Sequence, residues 1–249
     1  MTIWRPLLTI LISSALCSAD PGQAAEQAAP TGTPIPSTST DATLIKRGEY
    51  AAVLGDCIAC HTATDGPAMA GGREFVTPFG KVYSTNITPD KTTGIGRYSF
   101  EQFDRAMRKD VNAAGENLYP AMPYPSYAKI DEADMRALYA YLQQGVAPVD
   151  QPNRPAEMHW PFSMRWGLSF WNWAYLDTTP FKPDPQKSAA WNRGAYLVQG
   201  LGHCGSCHTP RGIGFQEKAM SGAGPAGKSM PGARSACGIY GRWKTPRCC

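Results

Sequence analysis

The chain has 249 residues and a formal charge of +4, yet all 20 acidic residues fall between Asp20 and Glu217. Between Asp20 and Met220 only 18 basic residues oppose them, a balance of −2, and the basic surplus is Arg5 together with five Lys or Arg beyond Met220. A folded part without a clustered basic face excludes nucleic-acid binding.

In chain order, residues 1–19 read as a signal peptide. Arg5 is the only charge, Leu7 to Leu16 is a short apolar run, and Cys17-Ser18-Ala19 supplies small residues ahead of Asp20. The run is too short for a membrane span, so the mature chain is expected in the periplasm. Cys17 is read as lost with the leader, because Leu16 is larger than a lipoprotein site prefers. Residues 20–42, rich in Pro, Thr, Ser, Ala and Gln, are expected to form a disordered linker.

Next comes Arg47-Gly48-Glu49-Tyr50, and then Cys57-Ile58-Ala59-Cys60-His61. The same order returns at Arg193-Gly194-Ala195-Tyr196 and Cys204-Gly205-Ser206-Cys207-His208, an internal repeat at domain scale. C-x-x-C-H is the attachment signature of a c-type haem. Two thiols three positions apart lie on one helical turn, where they can form thioethers with the two vinyl groups of a porphyrin. The His that follows offers its imidazole to the iron. A zinc ribbon would set its Cys pairs some ~15–20 residues apart, whereas these begin 147 positions apart. A thioredoxin-type pair needs no His after the second Cys. The expected cofactors are therefore two covalently bound haem c, held by Cys57, Cys60 and His61 and by Cys204, Cys207 and His208.

Each R-G-x-Y segment predicts a helix, with Gly48 or Gly194 admitting a crossing helix at short range. Ser99 and Gln102 fit a capping box ahead of Phe103, Ala106 and Met107. Asp131 and Asp134 mark another start, and Met135, Leu138, Tyr139 and Leu142 recur at helical spacing up to Gly145. The fold class is expected to be all-α: tandem class I cytochrome c-like domains, the second incomplete. The divisions are 43–150 for the first domain, 151–188 for a Trp-rich segment, 189–220 for the start of the second domain, and 221–249 for an aberrant or disordered tail.

The sixth iron ligand of the first haem is expected to be Met122. It stands in Tyr119-Pro120-Ala121-Met122-Pro123, where two prolines stiffen the loop around a thioether. Met69, Met107 and Met135 read as packing residues, and His159 and His203 as ordinary polar residues. The second unit has no counterpart at the same spacing, since 61 positions separate His61 from Met122 and only 41 residues follow His208. Met220 and Met230 remain, neither in a Pro-stiffened loop. The tail, which holds Cys237, Cys248 and Cys249, reads as truncated or out-of-frame sequence, with a flexible basic tail as the alternative. For the aromatic segment from His159 to Leu176 three readings stand: packing between domains, a docking surface for a partner subunit, or contact with a membrane interface.

The stretches RGEYAAVLGDCIACHT, AGGREFVTPFGKVYSTNITPDKTTGIGRYSFEQFDRAMR, LYPAMPYPSYAKI, WPFSMRW and GAYLVQGLGHCGSCHTPRGIGFQEKA resemble the multihaem cytochrome c subunit of bacterial membrane-bound dehydrogenases for alcohols, sugars and sugar acids. The resemblance implies electron transfer from a quinoprotein or flavoprotein dehydrogenase large subunit toward ubiquinone, at the periplasmic face of the inner membrane. Met122 matches the family's axial Met. The family's third C-x-x-C-H and second axial Met have no match here. In this reading the chain is an electron-transfer subunit of an oxidoreductase and not a catalytic one. A free soluble shuttle, a dihaem peroxidase and a non-functional truncated product are the alternatives.

Overall fold

The structure is a computed structural model that describes residues 39–218; the signal segment, most of the expected linker and the tail from 221 lie outside them. Helix α1, Ser39–Leu54, places Asp41 in its first turn, where a carboxylate complements the helix dipole. Its buried stripe of Gly48, Ala51 and Ala52 is small, so another backbone can approach. That backbone is α5, Glu132–Gln144, capped by Asp131, whose carboxylate accepts from Asp134 N. At Gly48 a methyl group would collide with the Ala137 carbonyl and the Tyr141 side chain. The same crossing is pinned by Arg47 Nε donating to Asp134 Oδ1 at 2.7 Å.

Met135, Leu138 and Leu142 of α5 pack against Phe103 and Met107 of α3, Phe100–Lys109, and Tyr127 of α4, Tyr124–Tyr127. Each such side chain, when fully buried, stabilises the fold by roughly 1.5–3 kcal/mol. The capping box of α3 is complete, with Ser99 Oγ accepting from Gln102 N and Gln102 Oε1 accepting from Ser99 N. Buried Asn86 ties the loop after the core to it, donating from Nδ2 to Val149 O at 2.8 Å while its N–H donates to Asn153 Oδ1 at 2.6 Å.

The expectation of an all-α fold is corrected by a three-stranded antiparallel sheet, ordered β1 (Glu74–Thr77), β2 (Gly80–Tyr83) and β3 (Glu157–Met158). Phe75, Val76, Val82 and Tyr83 are residue types that suit a pleated, half-buried surface. Pro78 and Phe79 form the two-residue loop between Thr77 and its partner Gly80. Gly80 has φ 132, and the Glu157 carbonyl lies where a side chain would begin. Tyr83 Oη crosses the sheet to donate to Glu157 Oε1 at 2.9 Å.

Tandem domains are not seen among the described residues either. Three further helices follow: α6 (Trp166–Tyr175), α7 (Ala189–Gln199) and α8 (Gly205–His208), with the single turn α2 (Cys57–Cys60) lying after α1. The connection from α7 to α8 packs on the first unit, because Leu201, 1% exposed, is a member of the same core as Leu138 and Ala51. Tyr196 Oη donates to Asp134 Oδ2 at 2.6 Å, on the carboxylate that also receives Arg47. No atom beyond its own neighbourhood lies within 4 Å of a methyl at Gly194, so among the described residues no helix crosses α7 as α5 crosses α1. Among the described residues the sequence repeat is thus not matched by a repeated packing unit.

Candidate haem sites

The chain reaches α2 through Gly55 and Asp56, the latter in the left-handed region at φ 51. One helical turn then sets Cys57, half-buried, and Cys60, exposed, on neighbouring positions of one face. Desolvation of the sulfur first, and with it the Asp56 carboxylate, push the Cys57 thiol up to about 12, and the same two causes raise Cys60. Both side chains are therefore held as S–H groups, and each would form a thioether by adding S and H across one vinyl double bond.

The surroundings of His61 leave one ring nitrogen free to donate. Its Nδ1 lies 2.7 Å from Thr85 O. A carbonyl oxygen only accepts, so Nδ1 carries the proton and Nε2 keeps its lone pair. Burial lowers the imidazole's pKa against the opposing pull of that hydrogen bond, which keeps the ring neutral. Two further bonds hold the turn: Gly71 N donates to His61 O at 2.7 Å, and Arg73 Nη1 donates to Ala59 O at 2.8 Å.

Met122 sits on a tightened loop, with Ala121 N donating to Tyr119 O at 2.7 Å and Tyr124 N to Met122 O at 2.8 Å. Its half-buried side chain packs against the core cluster on which Cys57 also packs. Met107 and Met135 are inside that cluster and Met69 is buried at φ 62, as packing residues would be. Two neutral thiols on one turn, an imidazole of fixed tautomer and a thioether against the same core are a donor set that fits haem c.

The second site shares part of this plan. Cys204 is half-buried, whereas Cys207 and His208 are exposed. Arg211 Nη2 donates to Ser206 O at 2.7 Å, the carbonyl that corresponds to Ala59 O in the first site. An arginine thus closes the turn before the second Cys in both copies, a feature the motif itself does not display. What differs is the histidine: no hydrogen bond to the His208 ring occurs among the described residues, so nothing there fixes its tautomer as Thr85 does for His61. The covalent donors fit a second haem c. Met220 and Met230 lie outside the described residues.

His159 is exposed, and His203 turns its Nδ1 toward Leu201 O at 2.9 Å. In the aromatic segment, Trp171 packs inward, with its ring near Tyr124 and Nε1 donating to Gly214 O. Trp160 and Trp173 are about 80% exposed, at 79% and 80%, Trp166 and Phe170 are exposed as well, and Phe170 lies ring to ring with Trp173 at 5.4 Å between centroids. Packing therefore accounts for Trp171 and not for those four.

Residues 45–145 match the cytochrome c family. The chain is 54% identical over 193 residues to the gluconate 2-dehydrogenase cytochrome c subunit of Pantoea cypripedii, covering 76% of this chain and 44% of that one. It is 51% identical over 195 residues to the cytochrome c subunit of the quinone-dependent alcohol dehydrogenase of Gluconacetobacter polyoxogenes, covering 78% and 42%. A diheme c-type cytochrome of Cereibacter sphaeroides is 34% identical over 192 residues, covering 73% and 64%. The chain spans less than half the length of the first two relatives.

Proposed function

We propose that this chain, whose residues 45–145 match the cytochrome c family, is a cytochrome c subunit of a bacterial dehydrogenase that carries two covalently bound haem c groups and relays electrons. The donor in this reading is the quinoprotein or flavoprotein catalytic subunit of a periplasmic dehydrogenase, and the acceptor is ubiquinone or another member of the respiratory chain. The observation that carries it is the pair of C-x-x-C-H turns, each closed by an arginine on the equivalent carbonyl. The relatives' names support a dehydrogenase as partner.

Haem supplies a one-electron couple at its iron, tuned by axial ligand and burial. The protein's residues would hold and orient it: Cys57 and Cys60 would anchor the first group, His61 and Met122 would donate to its iron, and Thr85 fixes the imidazole's tautomer. Cys204, Cys207 and His208 serve the second. The core formed by Phe103, Tyr127, Leu138 and Leu201 excludes water from one side of the first turn. The relay needs no acid or base. The exposed aromatics Trp160, Trp166, Phe170 and Trp173 are the surface this reading assigns to the catalytic subunit. Among the described residues no helix is long and apolar enough to cross a membrane.

The test is to mature the full chain with a c-type haem ligation system and weigh it, expecting two haem additions. The purified protein is then mixed with the catalytic subunit of a gluconate or alcohol dehydrogenase. Substrate-dependent growth of the ferrous haem bands is expected, and a chain that stays ferric with every such subunit would not be their electron acceptor.

A further inference from the structure

Tyr127 lies between the two haem turns. It ends the one-turn helix α4, is 5% exposed, and donates from its hydroxyl to Gly55 O at 2.8 Å. Gly55 stands two residues before Cys57. The other side of the story is its ring, which meets the His203 ring edge to face, with centroids 5.8 Å apart. His203 directly precedes Cys204. Leu201 fills the space beside this contact: its side chain comes within 3.6 Å of where a Cβ at Gly55 would stand, and Cys57 Sγ within 3.5 Å of the same point. Two turns that begin 147 positions apart in sequence are therefore joined by one hydrogen bond, one phenol and one ring contact.

Resting on the two-haem reading above, we propose that Tyr127 is the bridge along which the two haem sites exchange an electron. Electronic coupling decays more slowly through covalent bonds and hydrogen bonds than across van der Waals gaps, so a route with a single non-bonded step, the Tyr127–His203 ring contact, is favoured over one with several. Here the route runs from Cys57 through Asp56 and the Gly55 carbonyl to the Tyr127 hydroxyl, across the phenol, and by way of His203 to Cys204. In each transfer one ferrous iron loses an electron and one ferric iron gains it. Tyr127 is neither oxidised nor deprotonated; it is a positioning residue that also fills the gap. The docking bond from Tyr196 to Asp134 also ties α7 to α5, but neither residue is a step of the route.

The experiment uses the full chain with both haems bound. An electron is injected photochemically, its redistribution between the haems is followed by absorbance, and both reduction potentials are titrated so that rates are compared at known driving force. Tyr127→Phe, which keeps the ring and loses the bond to Gly55, is expected to slow exchange. Tyr127→Leu is expected to slow it severalfold further, and Tyr196→Phe to leave it at the parent rate. Parent-like exchange in Tyr127→Phe and Tyr127→Leu would overturn the bridge, as would equal slowing in Tyr196→Phe. Should Tyr127→Leu fail to fold, the near-isosteric Tyr127→Phe still decides the matter. A mass showing a single haem would overturn the two-haem reading and the bridge together, whereas two haems with unchanged exchange would remove the bridge alone.

Discussion

His61 and His208 hold the same place in their motifs and meet different surroundings, one bonded to a backbone carbonyl and the other exposed. The same C-x-x-C-H pattern therefore does not give its histidine the same surroundings, and the difference lies in which loop returns to the imidazole. Met122 is the matching question on the other axial side. A thioether ligand raises the potential of a haem, so Met122→Ala is expected to lower the potential of the first haem and leave the second unchanged. A potentiometric titration that resolves two couples checks this, and two unmoved couples would take Met122 off the iron. Asp110 offers a test of stability. It ends α3 in the left-handed region at φ 56, is 3% exposed, and its Oδ1 is buried without a hydrogen-bond partner. Burial holds its carboxyl pKa well above the usual range. An acid whose folded pKa exceeds its unfolded value binds its proton more tightly when folded. Its contribution to stability is thus complete below the unfolded value, near ~3.9, and is lost as pH rises through the folded one. Asn tolerates the same backbone region, so Asp110→Asn is expected to unfold at a higher temperature than the parent at pH 7. The gain should shrink toward pH 4, and a gain independent of pH would mean that the carboxylate charge is not its source.

Two glycines in one repeated tetrapeptide separate what a helix needs locally from what its packing needs. At Gly48 an added methyl meets the Ala137 backbone, while at Gly194 it meets open space. Gly48→Ala is expected to destabilise the chain by about 1–3 kcal/mol, the usual cost of overpacking. Gly194→Ala should instead stabilise α7, by up to about 1 kcal/mol, because alanine is the better helix former. Urea unfolding of both variants reads the two signs, and equal effects would mean that α7 has a crossing partner after all. The elements legible in the sequence were those written in adjacent residues. Ser99 with Gln102 and Asp131 with Asp134 announce their caps because both partners lie within one turn. The sheet was missed because its strands are four, four and two residues long, and β3 pairs with Lys81 across 76 positions. Arg73 and Arg211 were missed for a related reason: they reach equivalent carbonyls from 12 and three positions after their histidines. The donors of the two turns could be named from their spacing, but the groups that orient them could not.

At the scale of the molecule, the repeat suggested two cores, and the described residues show the second turn resting on the first. Leu201 and Tyr196 come from the second copy, yet they are buried against α4, α5 and the loop between them. A motif predicts the chemistry its residues perform; whether it also has a domain of its own depends on the apolar surface that follows it. With charges nearly balanced between Asp20 and Met220, long-range electrostatic attraction is a weak basis for association. The exposed aromatics are a stronger one: Phe170 and Trp173 pair in solvent on a segment that also exposes Trp160 and Trp166, and clustered exposed apolar side chains mark contact surfaces. Removing them should cost the fold little, because surface substitutions usually stay within about 0.5 kcal/mol. Central aromatic anchors of an interface, in contrast, cost about 2 kcal/mol or more when truncated, and ~1.4 kcal/mol is tenfold in affinity. Trp160→Ser with Trp173→Ser is therefore expected to leave the thermal midpoint in place and weaken binding to the dehydrogenase catalytic subunit by tenfold or more. Titration calorimetry measures that affinity, and flotation with anionic phospholipid vesicles measures the competing possibility. Full affinity for the catalytic subunit with lost vesicle binding would reassign this face to the membrane, and no change in either would leave it without the role assigned above.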